Sequence, residues 1–456
     1  MTAQQWTVMA ALIVLASSAG LPAIAAVDGD RIDELEREIA QLKALLTAAQ
    51  QDDNQGTEDR LEEIERRIEI LAGEVEALRI GRAAVSADES NYGLGPAASK
   101  IYRTERGVSI GGYGEMLYSH FDSTTEGGAA SDKTDQFDFL RAVIYVGYKF
   151  NDRFLFNSEL EFEHASTSED GSVSVEFAYI DYLWRSQINV RGGLLLLPMG
   201  FINEMHEPTT FLGASRPETE LRIIPSTWRE NGVGLFGELG PFDYRTYAVN
   251  GLDASDFAAS GLRGGRQKGS KAKADDFAWV GRVDYAGTPG LLIGASGYFG
   301  NSGQGMTDNQ GNSINVRTSI VEGHVEWRWQ GLELRLLGAR AELDDVAALN
   351  LELGLPIDDS VGEEMIGAYL QAGYDVLRWV KGKARLIPFV RWERLNTQDK
   401  VADGYMANPA YEQQIITAGL SFLPIDQMVI KLDYVESNDQ AETGVNRIEL
   451  GLGYVF

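Results

Sequence analysis

The most conspicuous chemistry in the chain is basic. Arg263, Arg266, Lys268, Lys271 and Lys273 fall within the run LRGGRQKGSKAK with no acid between them, in a chain whose formal charge is −28. Fixed cations clustered this way raise the local concentration of anions, and the effect fades as salt is added. A second basic set, Arg216, Arg222 and Arg229, lies in the stretch 200–230, but among Glu204, Glu207, Glu218, Glu220 and Glu230. Arginine suits phosphate and carboxylate because its planar fork offers two parallel donors.

Other chemistries find little support. The chain has no cysteine, hence no disulfide framework or thiolate metal site. His120, His164, His206 and His324 show no HExxH-like spacing and read as solvated or wall histidines. No nucleophile–base set is recognisable, so no catalytic residue, cofactor or metal is expected. The acidic balance, with an isoelectric point near 4.5, argues against nucleic acid, whose binders need a basic face.

The elements that would position these cations follow from a period of two that runs through 107–456. Leu140, Ala142, Ile144, Val146, Tyr148 and Phe150 alternate with Arg141, Val143, Tyr145, Gly147 and Lys149. Val321, Gly323, Val325, Trp327 and Trp329 alternate with Glu322, His324, Glu326 and Arg328. Charge recurring on one face and apolar residues on the other suit a barrel with lipid outside and water inside. About sixteen such strands are expected, an even number as in bacterial barrels. Short connections at 151–152, 240–241, 287–290 and 424–426 alternate with long ones at 121–134, 200–230, 252–275, 300–312, 344–361 and 397–411, matching periplasmic turns and outer loops. Tyr148, Phe150, Trp184, Tyr285, Trp327, Trp329, Tyr374, Phe422, Tyr454 and Phe456 end the strands that run toward the short turns, as an interfacial girdle would. The terminal aromatic, Phe456, with apolar residues at every second position before it, is the expected signal to the barrel assembly machinery. Mean hydropathy of −0.19 is no objection, because only alternate strand residues face lipid.

Alternation directs Arg141, Arg191, Arg245, Arg282, Arg328, Arg335, Arg385, Arg391 and Arg447 inward. It also directs Glu159, Glu161, Glu163, Asp284, Glu322, Glu326, Glu333, Glu393 and Glu449 inward, so cross-strand ion pairing is the competing role for these arginines. The candidates for an anion path are Arg141, Arg191, Arg216, Arg222, Arg229, Arg263, Arg266, Lys268, Lys271, Lys273 and Arg391.

Ahead of the barrel, residues 1–25 read as an export signal, with an apolar core and small residues Ala23 and Ala25, although no Lys or Arg precedes the core. An uncleaved membrane helix is the alternative. In 26–85 apolar residues recur at 3-4 spacing: Ile32, Leu35, Ile39, Leu42, Leu46 and Ala49, then, after a break at Gly56, Leu61, Ile64, Ile68, Leu71, Val75 and Leu78. Two short coiled-coil segments in the periplasm are expected, their partners copies of the same chain. The alternative is a hairpin folding back at Gly56. Residues 86–106 read as a linker.

Several motifs point to a family. SIGGYGEMLY (109–118), RPETELRIIPSTWRENGVGLFG (216–237), YRTYAVNGL (244–252) and PFVRWER (388–394) resemble the phosphate-selective porin O/P family, and a coiled coil ahead of such a barrel is similar to dicarboxylate-type porins. The resemblance implies a trimeric, sixteen-stranded diffusion channel of the outer membrane whose third loop and basic loop fold toward the pore. The expected function is therefore anion-preferring diffusion of small hydrophilic solutes, with lipid and lipopolysaccharide as surroundings. A dicarboxylate or general porin, a cell-wall tether and an outer-membrane hydrolase are the alternatives. For the basic run, contact with lipopolysaccharide phosphates competes with pore lining.

Overall fold

A computed structural model describes residues 34–44, 66–68, 71, 87, 90–165, 171–380 and 382–456. The expected export signal lies outside the described residues, as do the heptad positions Ile32, Leu46, Ala49, Leu61, Ile64, Val75 and Leu78. The chain divides into two compact units, 1–85 and 86–456. In the first, residues 34–44 are helical and follow the expected stripe: Leu35 is buried with Leu71, and Ile39 and Leu42 pack against them. The two heptad segments thus touch within one chain, as in the hairpin alternative.

The second unit is a closed antiparallel barrel of sixteen strands in sequence order. They are β1 (Gly107–Phe121), β2 (Gln136–Lys149), β3 (Phe154–Glu163), β4 (Ser172–Arg185), β5 (Ile188–Leu196), β6 (Arg229–Leu239), β7 (Phe242–Asn250) and β8 (Phe277–Thr288). There follow β9 (Leu291–Asn301), β10 (Arg317–Trp329), β11 (Leu332–Leu343), β12 (Glu364–Tyr374), β13 (Arg385–Lys400), β14 (Glu412–Ile425), β15 (Met428–Asp439) and β16 (Arg447–Val455). Each strand is hydrogen-bonded to its sequence neighbours, and β1 pairs with β16 from Tyr113↔Val455 to Phe121↔Arg447. Long and short connections alternate as the sequence led us to expect. The exceptions are the ten-residue turn 375–384 on the short side and the brief long-side connections 164–171 and 440–446, which the alternation of apolar residues did not reveal.

The outward face is apolar along the strand pattern: Val233, Val283, Leu336, Leu370 and Val390 are exposed there. Tyr148, Phe150, Trp184, Trp327, Trp329, Tyr374 and Phe456 are exposed near the short-turn end, where a girdle belongs. A closed barrel banded in this way is built to span a bilayer, and it is the architecture of outer-membrane proteins. By the same rule the short turns are periplasmic.

Phe456 completes the seam. Its N–H donates to the Gly112 carbonyl (2.9 Å) and its carbonyl accepts the Gly112 N–H (3.1 Å). A Cβ on Gly112 would collide with the Val143 carbonyl oxygen and lie 2.7 Å from the Phe456 ring, so glycine is what leaves room for both. Deleting Phe456 removes both bonds and the ring contact. We expect the barrel to lose on the order of 2 kcal/mol, with less protein reaching the outer membrane. Denaturant unfolding in detergent and quantified membrane levels check this, and an unchanged value in both would contradict it.

Candidate functional site in the barrel interior

The loop 197–228 does not stay outside. Leu197, Met199, Phe201, Ile202, Phe211, Leu212, Ile223, Ile224 and Trp228 are buried, which gives the loop a core of its own. Asn203 clasps its two ends: the side-chain amide donates to the carbonyls of Leu197 (2.7 Å) and Trp228 (2.9 Å) and accepts the Trp228 N–H (2.5 Å).

Wall residues then hold the loop across the interior. Arg282 on β8 donates to the Gly200 carbonyl, and Arg335 on β11 to that of Thr210 (2.7 Å). Asp433 on β15 accepts the Ala214 N–H (2.5 Å), and Glu449 on β16 the Ser215 hydroxyl (2.8 Å). Glu393 on β13 accepts the N–H groups of Glu218 (3.1 Å) and Thr219, which open the short helix Glu218–Arg222. Tyr369 on β12 donates to Glu220 (2.6 Å). A carboxylate facing helix-opening N–H groups is favourable in charge as well as in bonding.

The second long loop, 251–276, also turns inward and packs on the first. Leu262 N–H donates to the Arg222 carbonyl (3.2 Å), Arg266 to the Thr227 carbonyl (2.5 Å), and Thr397 to the Ala259 carbonyl (2.6 Å). Its own Leu252, Phe257 and Leu262 are buried.

The candidate cations separate into two kinds. Several are neutralised locally. Arg191 is sealed against Asp181 (2.8 Å), with both side chains almost wholly buried. Arg141 lies between Glu115 (3.0 Å) and Glu161 (3.5 Å). Arg229 pairs with Glu176, Arg222 with Glu218 (2.7 Å), and Lys273 with Asp253 (2.8 Å). Lys271 is exposed. Cross-strand pairing was the competing role for wall arginines, and it accounts for Arg191 and Arg141. It also accounts for Arg245 with Asp284 (2.5 Å) and Arg335 with Glu326 (2.5 Å). His324 is a wall histidine between Asp284 and Glu322, 2.9 Å from each.

The other kind keeps buried donors without a partner and, among the described residues, has no carboxylate in ion-pair contact: Arg216 at Nη2, Arg263 at Nη1, and Arg391 at Nε and Nη1. Arg141 and Arg229 also keep an unbonded Nε, but each has a carboxylate beside it. Lys431, which parity places beside Asp433, joins them. Its Nζ has no hydrogen-bond partner and stands 3.7 Å from the Phe211 ring centre. A Cβ on Gly213 would lie 3.3 Å from both Arg391 Nη1 and Asp433 Oδ2. The loop tip thus passes close to these wall charges.

The basic loop adds to this set. Burial pushes the Arg263 guanidinium down to about 9, and the positive charges of Arg266, Arg216 and Arg141 push the same way. Burial and Arg229 push Arg266 down to about 10, and burial with Arg266 and Arg229 lowers Lys268. An arginine keeps its proton at neutral pH even so. What these shifts register is first burial and then the crowding of Arg266, Arg216, Arg141 and Arg229 into one patch, against which Glu176, Glu230 and Glu163 pull the other way. Such a patch of unsatisfied donors in a polar interior is suited to an anion that arrives partly dehydrated.

No protein-family model matches the chain. A protein of Aquifex aeolicus, described as uncharacterized, is 37% identical over 357 residues, which make up 76% of this chain and 79% of that one. The chain belongs to the family of that protein. Among solved structures, similar ones include the anion-selective porin from Comamonas acidovorans (TM-score 0.49, 10% identity, 77% of this chain and 100% of that chain). A loop-L8 deletion mutant of OmpT from Vibrio cholerae is likewise similar (TM-score 0.49, 12% identity, 77% and 100%), as is Salmonella typhi OmpF with daunomycin (TM-score 0.48, 12% identity, 78% and 99%). All three scores fall below 0.5, and the barrel of this chain rests on its own strand order and seam.

Proposed function

We propose that this protein is an outer-membrane diffusion channel for small hydrophilic solutes that prefers anions, phosphate or small carboxylates among them. The observation that carries the reading is the set of buried, unpartnered donors on Arg216, Arg263 and Arg391, with Lys431, inside a closed barrel. Phosphate enters through the resemblance of 216–237 and the other motifs to the phosphate-selective porin O/P family. The mixed acids of the wall favour weak binding, which a channel needs for the ion to leave.

The basic run contributes unequally. Arg263, Arg266 and Lys268 influence Arg216, Arg141 and Arg229, whereas Lys271 is exposed and Lys273 is held by Asp253. We expect the triple change Arg263→Gln, Arg266→Gln and Lys268→Gln to lower anion conductance severalfold at low salt. It should do little at about 1 M, where the Debye length falls to about 3 Å. The double change Lys271→Gln and Lys273→Gln should leave conductance near the unmodified value. Equal effects of the two sets in planar-bilayer recordings would place the cations outside the path, where contact with lipopolysaccharide phosphates is the better account.

A homotrimer is part of the proposal. The heptad stripes of 26–85 support self-association beyond the Leu35–Leu71 contact, since isolated segments this short are marginal in water. Chemical cross-linking of the detergent-extracted protein should give a ladder ending at three subunits. A ladder that never leaves the monomer would contradict it.

A further inference from the structure

Residues 91–103 look like linker in the sequence, and a linker is solvated. This one is not: Leu94, Ala97, Ala98, Ser99, Lys100 and Ile101 are each at most 4% exposed. The segment lies along the inner wall near the short-turn end and meets successive strands. Lys100 Nζ donates to the Ile110 carbonyl of β1 (2.9 Å). Ile101 packs on Gly147 of β2, where an added Cβ would be 3.0 Å from Ile101 Cβ. Asn157 of β3 donates to the Ala98 carbonyl (3.0 Å). The Tyr102 hydroxyl donates to Asp181 of β4 (2.7 Å) and accepts from Arg191 of β5 (2.6 Å). Tyr92 sets its ring edge on Phe236 of β6, centroids 4.9 Å apart. At Gly93, φ is +86°, and a Cβ would collide with the Arg245 guanidinium of β7, so glycine is required for the approach on two counts.

From the other side, the crossing loop holds this segment through one carboxylate. Glu207 Oε1 accepts the N–H groups of both Ala97 and Ala98 at 3.0 Å. The segment has little regular structure to hold it there, because its helix, Lys100–Arg103, is four residues long.

We propose that residues 91–103 are a plug that narrows the periplasmic end of this channel, and that Glu207 is the residue that positions it. The proposal rests on the channel reading above. The plug occupies interior volume along β1–β7 at the end opposite the basic loop. A solute attracted at the outer mouth would therefore meet its size limit at the inner one. The Glu207 carboxylate ties the segment to the crossing loop, while the wall contacts above set its course along β1–β7.

The absence of native cysteine makes a direct test possible in the full-length protein. A single Ala98→Cys reports seating through its reaction rate with a membrane-impermeant maleimide. We expect slow labelling in the otherwise unmodified protein and labelling faster by about tenfold or more when Glu207→Ala is added. Glu207→Gln, whose amide oxygen still accepts, should keep most of the protection. In bilayers Glu207→Ala should raise single-channel conductance. A disulfide between Ile101→Cys and Gly147→Cys should cancel that rise until it is reduced, which also shows that the barrel is intact. Labelling and conductance unchanged by Glu207→Ala would make the segment a fixed part of the wall and overturn the proposal. Faster labelling with no conductance in any variant would instead refute the channel reading, and the role of plug with it.

Discussion

Hydrocarbon offers no partner to a backbone N–H or C=O, so a sheet that crosses a bilayer must close on itself. Everything else in this molecule depends on that closure. With every pair antiparallel, it requires an even number of strands and sends both ends of the barrel sequence to the short-turn side, where β1 meets β16 and Phe456 bonds to Gly112. It also divides the side chains into two populations with opposite demands. Those outside must be apolar, and those inside are free to be charged.

The interior uses that freedom for two purposes. Most of its arginines are structural, since each is bonded to a carboxylate or to a loop carbonyl. Removing one partner of such a buried pair leaves the other uncompensated, at a cost of about 3–5 kcal/mol. This is how Arg282 and Arg335, with Asp433 and Glu393, pin the loop 197–228 across the lumen. The remaining cations keep donors that this scaffold does not consume, and Arg391 is among them although its Nη2 reaches the Ser215 carbonyl. In the proposed channel they matter because electrostatics in salt water is local. At a Debye length of about 8 Å, a solute in the lumen is governed by the nearest few charges. Charges more than that distance away contribute little to what it feels, whatever their share of the chain total of −28.

The strands were legible because lipid outside and water inside write a period of two into every one of them. Loops carry no such code. Parity could place Arg191 and Arg391 on the inner face alike, yet one is sealed against Asp181 and the other keeps free donors. That difference depends on which loop residue arrives opposite each arginine. Lys431 lies at an inward position two residues before Asp433, and a fork-shaped donor, the trait that marks arginine for anions, does not mark it. The stretch 86–106 has the composition of a linker because glycine, alanine and serine are what linkers contain. The same small residues are what a segment needs in order to pass close to a crowded inner wall, as Gly93 does against Arg245. Composition alone does not separate the two. The heptads of 26–85 gave a stripe, but a stripe fits a partner copy and a folded-back hairpin equally well, and Leu35 against Leu71 is a contact within the chain.

The central claim is that a handful of uncompensated interior cations outweighs the acidity of the whole chain. The most direct measurement is the reversal potential of the full-length protein in a planar bilayer under a potassium chloride gradient at low ionic strength. The account predicts a reversal potential of the sign set by chloride, shrinking in magnitude as both baths are raised toward about 1 M salt. A reversal potential of the sign set by potassium would contradict it.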